Sequence, residues 1–397
     1  TTSVLAELDI NLGTSVSTVT ATSALPLRDL QIYKGEFITN GQDITNSRVL
    51  VMHNTGTFTM ASGTLTLGSD DLAPDLVAIW HQNTGSTANI SGGTITLEGI
   101  GHSYYGAMFI QDGSVFNATG GTFQFIGNDN SVIDIEESDA SDFKIYNFTV
   151  GDGTNSHTVT LSASSTIDFK VDNDITINAN ATLSANGEPI VLVGDWTNSG
   201  TFTHGNNTVT FESADAASPN NIQTITGDTT FYNFIKDVSS FSNQQELHFN
   251  VGDTITTDGS TTIKGKSGSL LVLDSTDSSN IFSIYIADST RDISYLYVKN
   301  SNQDNTGNPV NLLTDTESTG TNFNSGWGLI VTVTGGSGAV PIPSSGSGEG
   351  DQWVGIGEIK NIPSIDEDGI NVLVYIDAEL IFDLGDHDSK YTLQILS

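Results

Sequence analysis

Cysteine is absent from the 397 residues, so disulfides, thiol chemistry and cysteine-held zinc are excluded. Basic residues are scarce: 12 Lys plus Arg stand against 47 Asp plus Glu, a formal net charge of −35. That balance argues against nucleic-acid binding, which needs cations to displace counterions. It also disfavours anionic membranes. No run of about 20 apolar residues is present, so no segment reads as a membrane-spanning helix. Helical periodicity does not persist beyond about a turn. Thr1 opens directly into a strand-like pattern and is read as the start of a processed chain.

What is abundant is the chemistry of short strands and tight corners. Gly (41 residues) with Ser, Thr, Asn and Asp fills the gaps between brief apolar stretches. At the N-terminus Val4, Ala6, Leu8, Ile10 and Leu12 alternate with Glu7, Asp9 and Asn11, the period of a half-buried strand. Residues 54–67 (NTGTFTMASGTLTL) align without a gap on residues 198–211 (NSGTFTHGNNTVTF), an offset of 144. Weaker copies begin at Asn83 and Gly113, and a Gly-Thr recurs at Gly63, Gly93 and Gly121, spacings of 30 and 28. Repeats of this length predict a stack of coils at about 20–30 residues each, because one unit cannot bury its own apolar face. The pattern predicts that Phe58, Leu65, Leu67, Ile95, Leu97, Phe123, Phe125, Phe202, Val209 and Phe211 point inward.

Residues 195–235 read W-x-N-x-G-T-F, V-T-F, Q-T-I-T-G and F-Y-N in order, followed by Ser294–Lys299 (SYLYVK) and Asn324-Ser325-Gly326-Trp327. This resembles the recurrent unit of repeat-containing bacterial and archaeal surface β-helix proteins, over roughly residues 40–330. The resemblance implies a right-handed parallel β-helix and a cell-surface or extracellular location, and it brings no catalytic residue with it. The expected organisation is an N-terminal strand and cap (1–30), β-solenoid repeats (31–334), a Gly/Ser/Pro linker (335–350) and a small C-terminal β module (351–397).

Candidate chemistry is thin. Asp70-Asp71 and Gly101-His102 echo sugar-hydrolysing β-helices, yet no Asn-Thr-Asp or Arg-x-Lys accompanies them. Arg28, Arg48 and Arg291 are the three arginines and lie far apart, which speaks against a lyase. The seven histidines have no metal-ligand spacing, although His53 and His81 both precede repeat starts and could fall on adjacent coils. For ions the candidates are Asp366, Glu367 and Asp368 before a turn glycine, and Asp383, Asp386 and Asp388 after the last apolar strand, with calcium as the ion. Asn89, Asn117, Asn147, Asn180 and Asn206 open sequons for glycans.

The sequence therefore leads to a non-enzymatic expectation: an extracellular structural protein assembling with copies of itself into a surface layer, sheath or filament. The contacts expected to join subunits are the alternating strand (Val4, Ala6, Leu8, Ile10, Leu12) and the apolar tail (Val372, Val374, Ile376). The N-terminal strand is expected to pair with a neighbour, or else to cap its own first coil. A monomeric adhesin or carbohydrate-binding β-helix is the alternative, and a polysaccharide-degrading enzyme the third class.

Overall fold

The computed structural model describes residues 5–13, 17–68, 79–98, 106–127, 130–139, 143–162, 167–213, 221–287 and 290–303, with short strands at 310–311, 319–321, 327–334, 370–375 and 392–395. Among them are 36 strands and no helix. The chain forms two compact units, Thr1–Glu212 with Gly227–Asn233, and Ser213–Thr226 with Phe234–Ser397.

In the first unit the strands pair in parallel, each with a segment 18 to 30 residues further along. The arrangement is solenoid-like, and inward residues on successive coils stand in columns. One column runs Leu8, Leu30, Leu50, Trp80, Met108, Ile133, Leu161. A second runs Ile44, Leu65, Ile95, Phe123, Phe148, Ile175, Trp196. A third begins Phe37, Phe58, Ala88, Phe116, Phe143. It is taken up by Phe169, Ile190 and Val209, with Phe143 and Phe169 in ring contact at 5.8 Å. Apart from Leu8, which is half-buried, every residue in these columns is buried. All ten residues predicted to point inward are buried too. Neighbouring aromatics touch from coil to coil, as in Phe58–Trp80 and Trp80–Phe116, both at 5.7 Å.

The alternate residues of the second column's strands are Thr45, Thr66, Thr96, Gln124, Thr149, Thr176 and Thr197, all but Gln124 the β-branched type expected on a pleated surface. Where the chain enters that wall, Gly41, Gly63, Gly93 and Gly121 stack with φ between +75° and +86°. A Cβ at Gly93 would lie 2.6 Å from the Gly63 carbonyl oxygen, and one at Gly121 2.8 Å from that of Gly93. Glycine is therefore required twice over, for the left-handed backbone and for the approach of adjacent coils.

The 144-residue self-alignment does not survive in three dimensions. It equates Phe58 with Phe202, but Phe202 pairs with Leu183 and, through it, Val159, in the strands of the Leu8–Leu161 column. Phe58 instead shares its column with Val209, the residue that the alignment matches to Leu65. Shared sequence here reports strand–corner–strand chemistry, which every wall of a coil requires, and not position within the coil.

The W-x-N-x-G unit is a packing device. Trp196 lies in the core with its indole N–H donating to Thr229 Oγ1 (3.2 Å), and Phe231 meets its ring at 5.2 Å. Asn198 Nδ2 donates to Asp228 O (2.9 Å) and Thr229 Oγ1 (3.1 Å), while its Oδ1 accepts from Gly200 N (3.2 Å). A side chain at Gly227 would collide with the Asn198 carbonyl.

The second unit repeats the scheme with columns Gln223, Leu247, Leu273, Val298 and Lys236, Ile263, Ile293. Its C-terminal part changes direction: Trp327–Thr334 pairs antiparallel with Ile370–Tyr375 and Thr392–Ile395. Trp327 pairs in parallel with Val310, and the antiparallel register begins at Gly328. The linker 335–350 lies outside the described residues.

Gly93→Val is expected to cost about 3 kcal/mol or more, from left-handed strain plus the close carbonyl. Gly153→Ala, at φ +80° with no heavy atom within 4 Å, is expected to cost only about 1–2 kcal/mol. Urea unfolding followed by circular dichroism measures both, and equal losses would show that the corner stack is not the constraint.

Candidate assembly edge

The strand Leu5–Asn11 runs parallel to Leu25–Ile38 of its own chain, with Leu8 opposite Leu30 and Ile10 opposite Ile32. Thr18–Thr20 continues the same coil against residues 36–38. Ile10 is buried, Leu8 and Leu12 are half-buried, and Glu7, Asp9 and Asn11 are exposed. Ala6 lies in the strand, and Val4 lies outside the described residues. This is the capping arrangement: the strand shields the coil above it.

Among the described residues Leu25–Ile38 is the one strand that pairs with Leu5–Asn11. The Leu12 N–H donates to Lys34 O at 3.0 Å. Alternation along a parallel strand then turns the N–H and C=O of Asn11, Asp9 and Glu7 to the opposite, outer edge. An edge of that kind is a template for another strand.

On the outer face beside this edge lies a polar and aromatic cluster. Gln31 Nε2 donates to Glu7 Oε1 (2.6 Å), and Tyr33 Oη donates to Gln31 Oε1 (2.9 Å). The His53 ring stacks on Tyr33 at 4.3 Å and 2°. His81 pairs with Val51 on the preceding coil, so His53 and His81 do lie on adjacent coils of one face. Their rings stack elsewhere, His81 meeting Phe109 at 5.0 Å. Burial lowers both imidazole pKa values; Asp9 opposes this at His53, and the bond to Asn83 opposes it at His81.

Val372 and Val374 sit opposite Val331 and Leu329 within the chain's own antiparallel sheet, and Ile376 lies outside the described residues. The candidate calcium ligands Asp366, Glu367, Asp368, Asp383, Asp386 and Asp388 also lie outside them, as do Asp70-Asp71 and Gly101-His102. Among the described residues no group of three or more His, Asp or Glu side chains is placed to hold a metal. Arg48 makes a two-pronged pair with Asp29 on the preceding coil, both bonds 2.7 Å. Arg291 donates to the carbonyls of Ala287 and Ile286. Of the sequons, Asn147 is engaged between coils, its Oδ1 accepting from Asn173 Nδ2 at 2.7 Å.

Among the buried charged side chains that the sequence reading did not single out are Glu188 and Lys236, with Asp29, Glu137 and Asp274. Lys236 was legible, because it shares strand parity with the inward Phe234. Glu188 sits at a corner, where no periodicity applies.

Comparison with known proteins gives no match to a family model, a curated protein or a solved structure. The fold defines the class: an all-β chain built largely from parallel, solenoid-like ladders.

Glu188 generates a pH prediction. Burial, with Asp168 nearby, pushes its carboxyl from 4.5 up to about 7. The folded state therefore holds this proton more tightly than the unfolded state. The penalty for the buried carboxylate is complete above pH 7 and fades as pH falls toward 4.5. Glu188→Gln is expected to stabilise the protein at pH 8, by about 3 kcal/mol at most, and not at pH 4. Thermal unfolding of both proteins at the two pH values checks this.

Proposed function

We propose that the chain is a right-handed parallel β-helix acting as an extracellular structural protein, whose copies join through strand edges into a layer, sheath or filament. The observation that carries this reading is the outer edge of Leu5–Asn11, the first rung of a parallel ladder with no described strand beyond it. Adding a strand there would extend an existing hydrogen-bond pattern and shield the half-buried Leu8 and Leu12. The exposed Glu7 and Asp9 disfavour two such edges meeting face to face, since like charges directly opposite destabilise a pair. A head-to-tail contact, which builds an open polymer, is the geometry this favours.

A second reading, a monomeric adhesin for surface carbohydrate, is supported by the Tyr33–His53 stack with its Gln31 and Glu7 amide and carboxylate neighbours. Light scattering and electron microscopy separate the two, since a subunit polymerises and an adhesin remains single.

Asp9→Pro tests the edge directly. Proline there removes an N–H that faces outward and leaves the ladder to Leu25–Ile38 intact. The variant is expected to fold with an unchanged circular dichroism spectrum and to stay monomeric by light scattering. Polymers formed as readily as by the unaltered chain would rule this edge out.

Charge supplies a further test. With 47 carboxylates against 12 basic groups, assembly is expected to strengthen with added salt through screening. Calcium enters as a proposed ligand of the C-terminal acidic clusters. Millimolar calcium is expected to act beyond salt of matched ionic strength, and an equal effect of the two would remove those sites.

A further inference from the structure

Lys236 occupies an inward position of the strand Asn233–Asp237, in a column continued by Ile263 and Ile293. Its side chain is 1 % exposed. Gln223, which is aligned with Leu247 in another column, is 4 % exposed. The two side chains meet: Lys236 Nζ lies 2.7 Å from Gln223 Oε1 and 2.7 Å from Ser213 Oγ. All three residues belong to the second unit.

We propose that Lys236 and Gln223 become joined by a side-chain amide bond formed spontaneously inside the folded protein. A primary amine withdrawn from water is a nucleophile in its neutral form. Here it is held one carbonyl bond away from an electrophilic carbon, the proximity that turns a slow bimolecular reaction into an intramolecular one. Lys236 Nζ attacks Cδ of Gln223, the Nζ–Cδ bond forms, and the Cδ–Nε2 bond breaks. One proton moves from Nζ to the departing nitrogen, which leaves as ammonia, and Ser213 Oγ is placed to relay it. No oxidant or other reactant is needed. Escape of ammonia into bulk solvent makes the step irreversible in practice.

The physical consequence suits a chain without cysteine. A buried amine and a buried primary amide, both costly to hold away from water, are replaced by one neutral secondary amide. The bond also ties two columns together covalently, the constraint that a disulfide supplies elsewhere.

Intact-mass spectrometry of the purified full-length chain tests the proposal. The protein is expected to be lighter than its sequence by one ammonia, about 17 Da. Proteolysis is expected to release a branched peptide containing Gln223 and Lys236, and Lys236→Met and Gln223→Met are expected to restore the full sequence mass. A wild-type mass equal to that of the sequence overturns the proposal, whatever the variants do. Loss of ammonia without the branched peptide also overturns it, because ring closure at Asn40-Gly41 or Asn186-Gly187 would produce the same mass change. A bond forming as fast in Ser213→Ala overturns the relay.

Discussion

The structure depends on one interaction, the parallel backbone ladder between each coil and the next. Many of the strands are only three to five residues long and could not persist singly. Paired above and below, their N–H and C=O groups are satisfied without water, and inward side chains gain neighbours on the coils either side, as Ala88 does between Phe58 and Phe116. That is why apolar columns, and not apolar segments, are the unit of the core. It is also why substitutions at the corners matter as much as those inside, since a corner that cannot close breaks the ladder on both sides of it.

Every other recurrent feature serves that spacing. Aromatic rings touch from coil to coil, corner glycines let carbonyls of adjacent turns approach, and Asn198 ties one turn to the next through Asp228 and Thr229. The scarce cations are used in the same way. Arg48–Asp29 (2.7 Å), Lys144–Asp172 (2.9 Å) and Lys299–Asp274 (2.6 Å) join residues of neighbouring coils, and Lys170–Glu212 (3.1 Å) spans two. Solvent-exposed pairs such as Lys170–Glu212 add little stability individually. Placed between coils, they relieve like-charge repulsion along an acidic surface where stacking would otherwise align it.

A ladder of this kind satisfies its interior rungs, and among the described residues the outer edge of Leu5–Asn11 has no partner strand. The proposed structural role rests on that edge, whose exposed side chains Glu7 and Asp9 are acidic.

Much of this was legible in the sequence. Alternation at Leu8 and Ile10 placed the first strand, the Gly63, Gly93 and Gly121 spacings located a true stack of corners, and the inward residues followed from parity. Local chemistry determined these because strand period and left-handed corners are properties of a few adjacent residues. Register was decided only by the tertiary structure. The near-identity of residues 54–67 and 198–211 conceals that Phe58 and Phe202 belong to different walls, because loops of varied length shift one coil against another. The meeting of Lys236 with Gln223 and Ser213, and the crowding that raises the Glu188 pKa, likewise arise from segments brought together by coiling. Sequence alone determined which residues form strands and which face inward; which coil each strand lies upon was settled by the sum of loop lengths and column packing, a property of the whole stack.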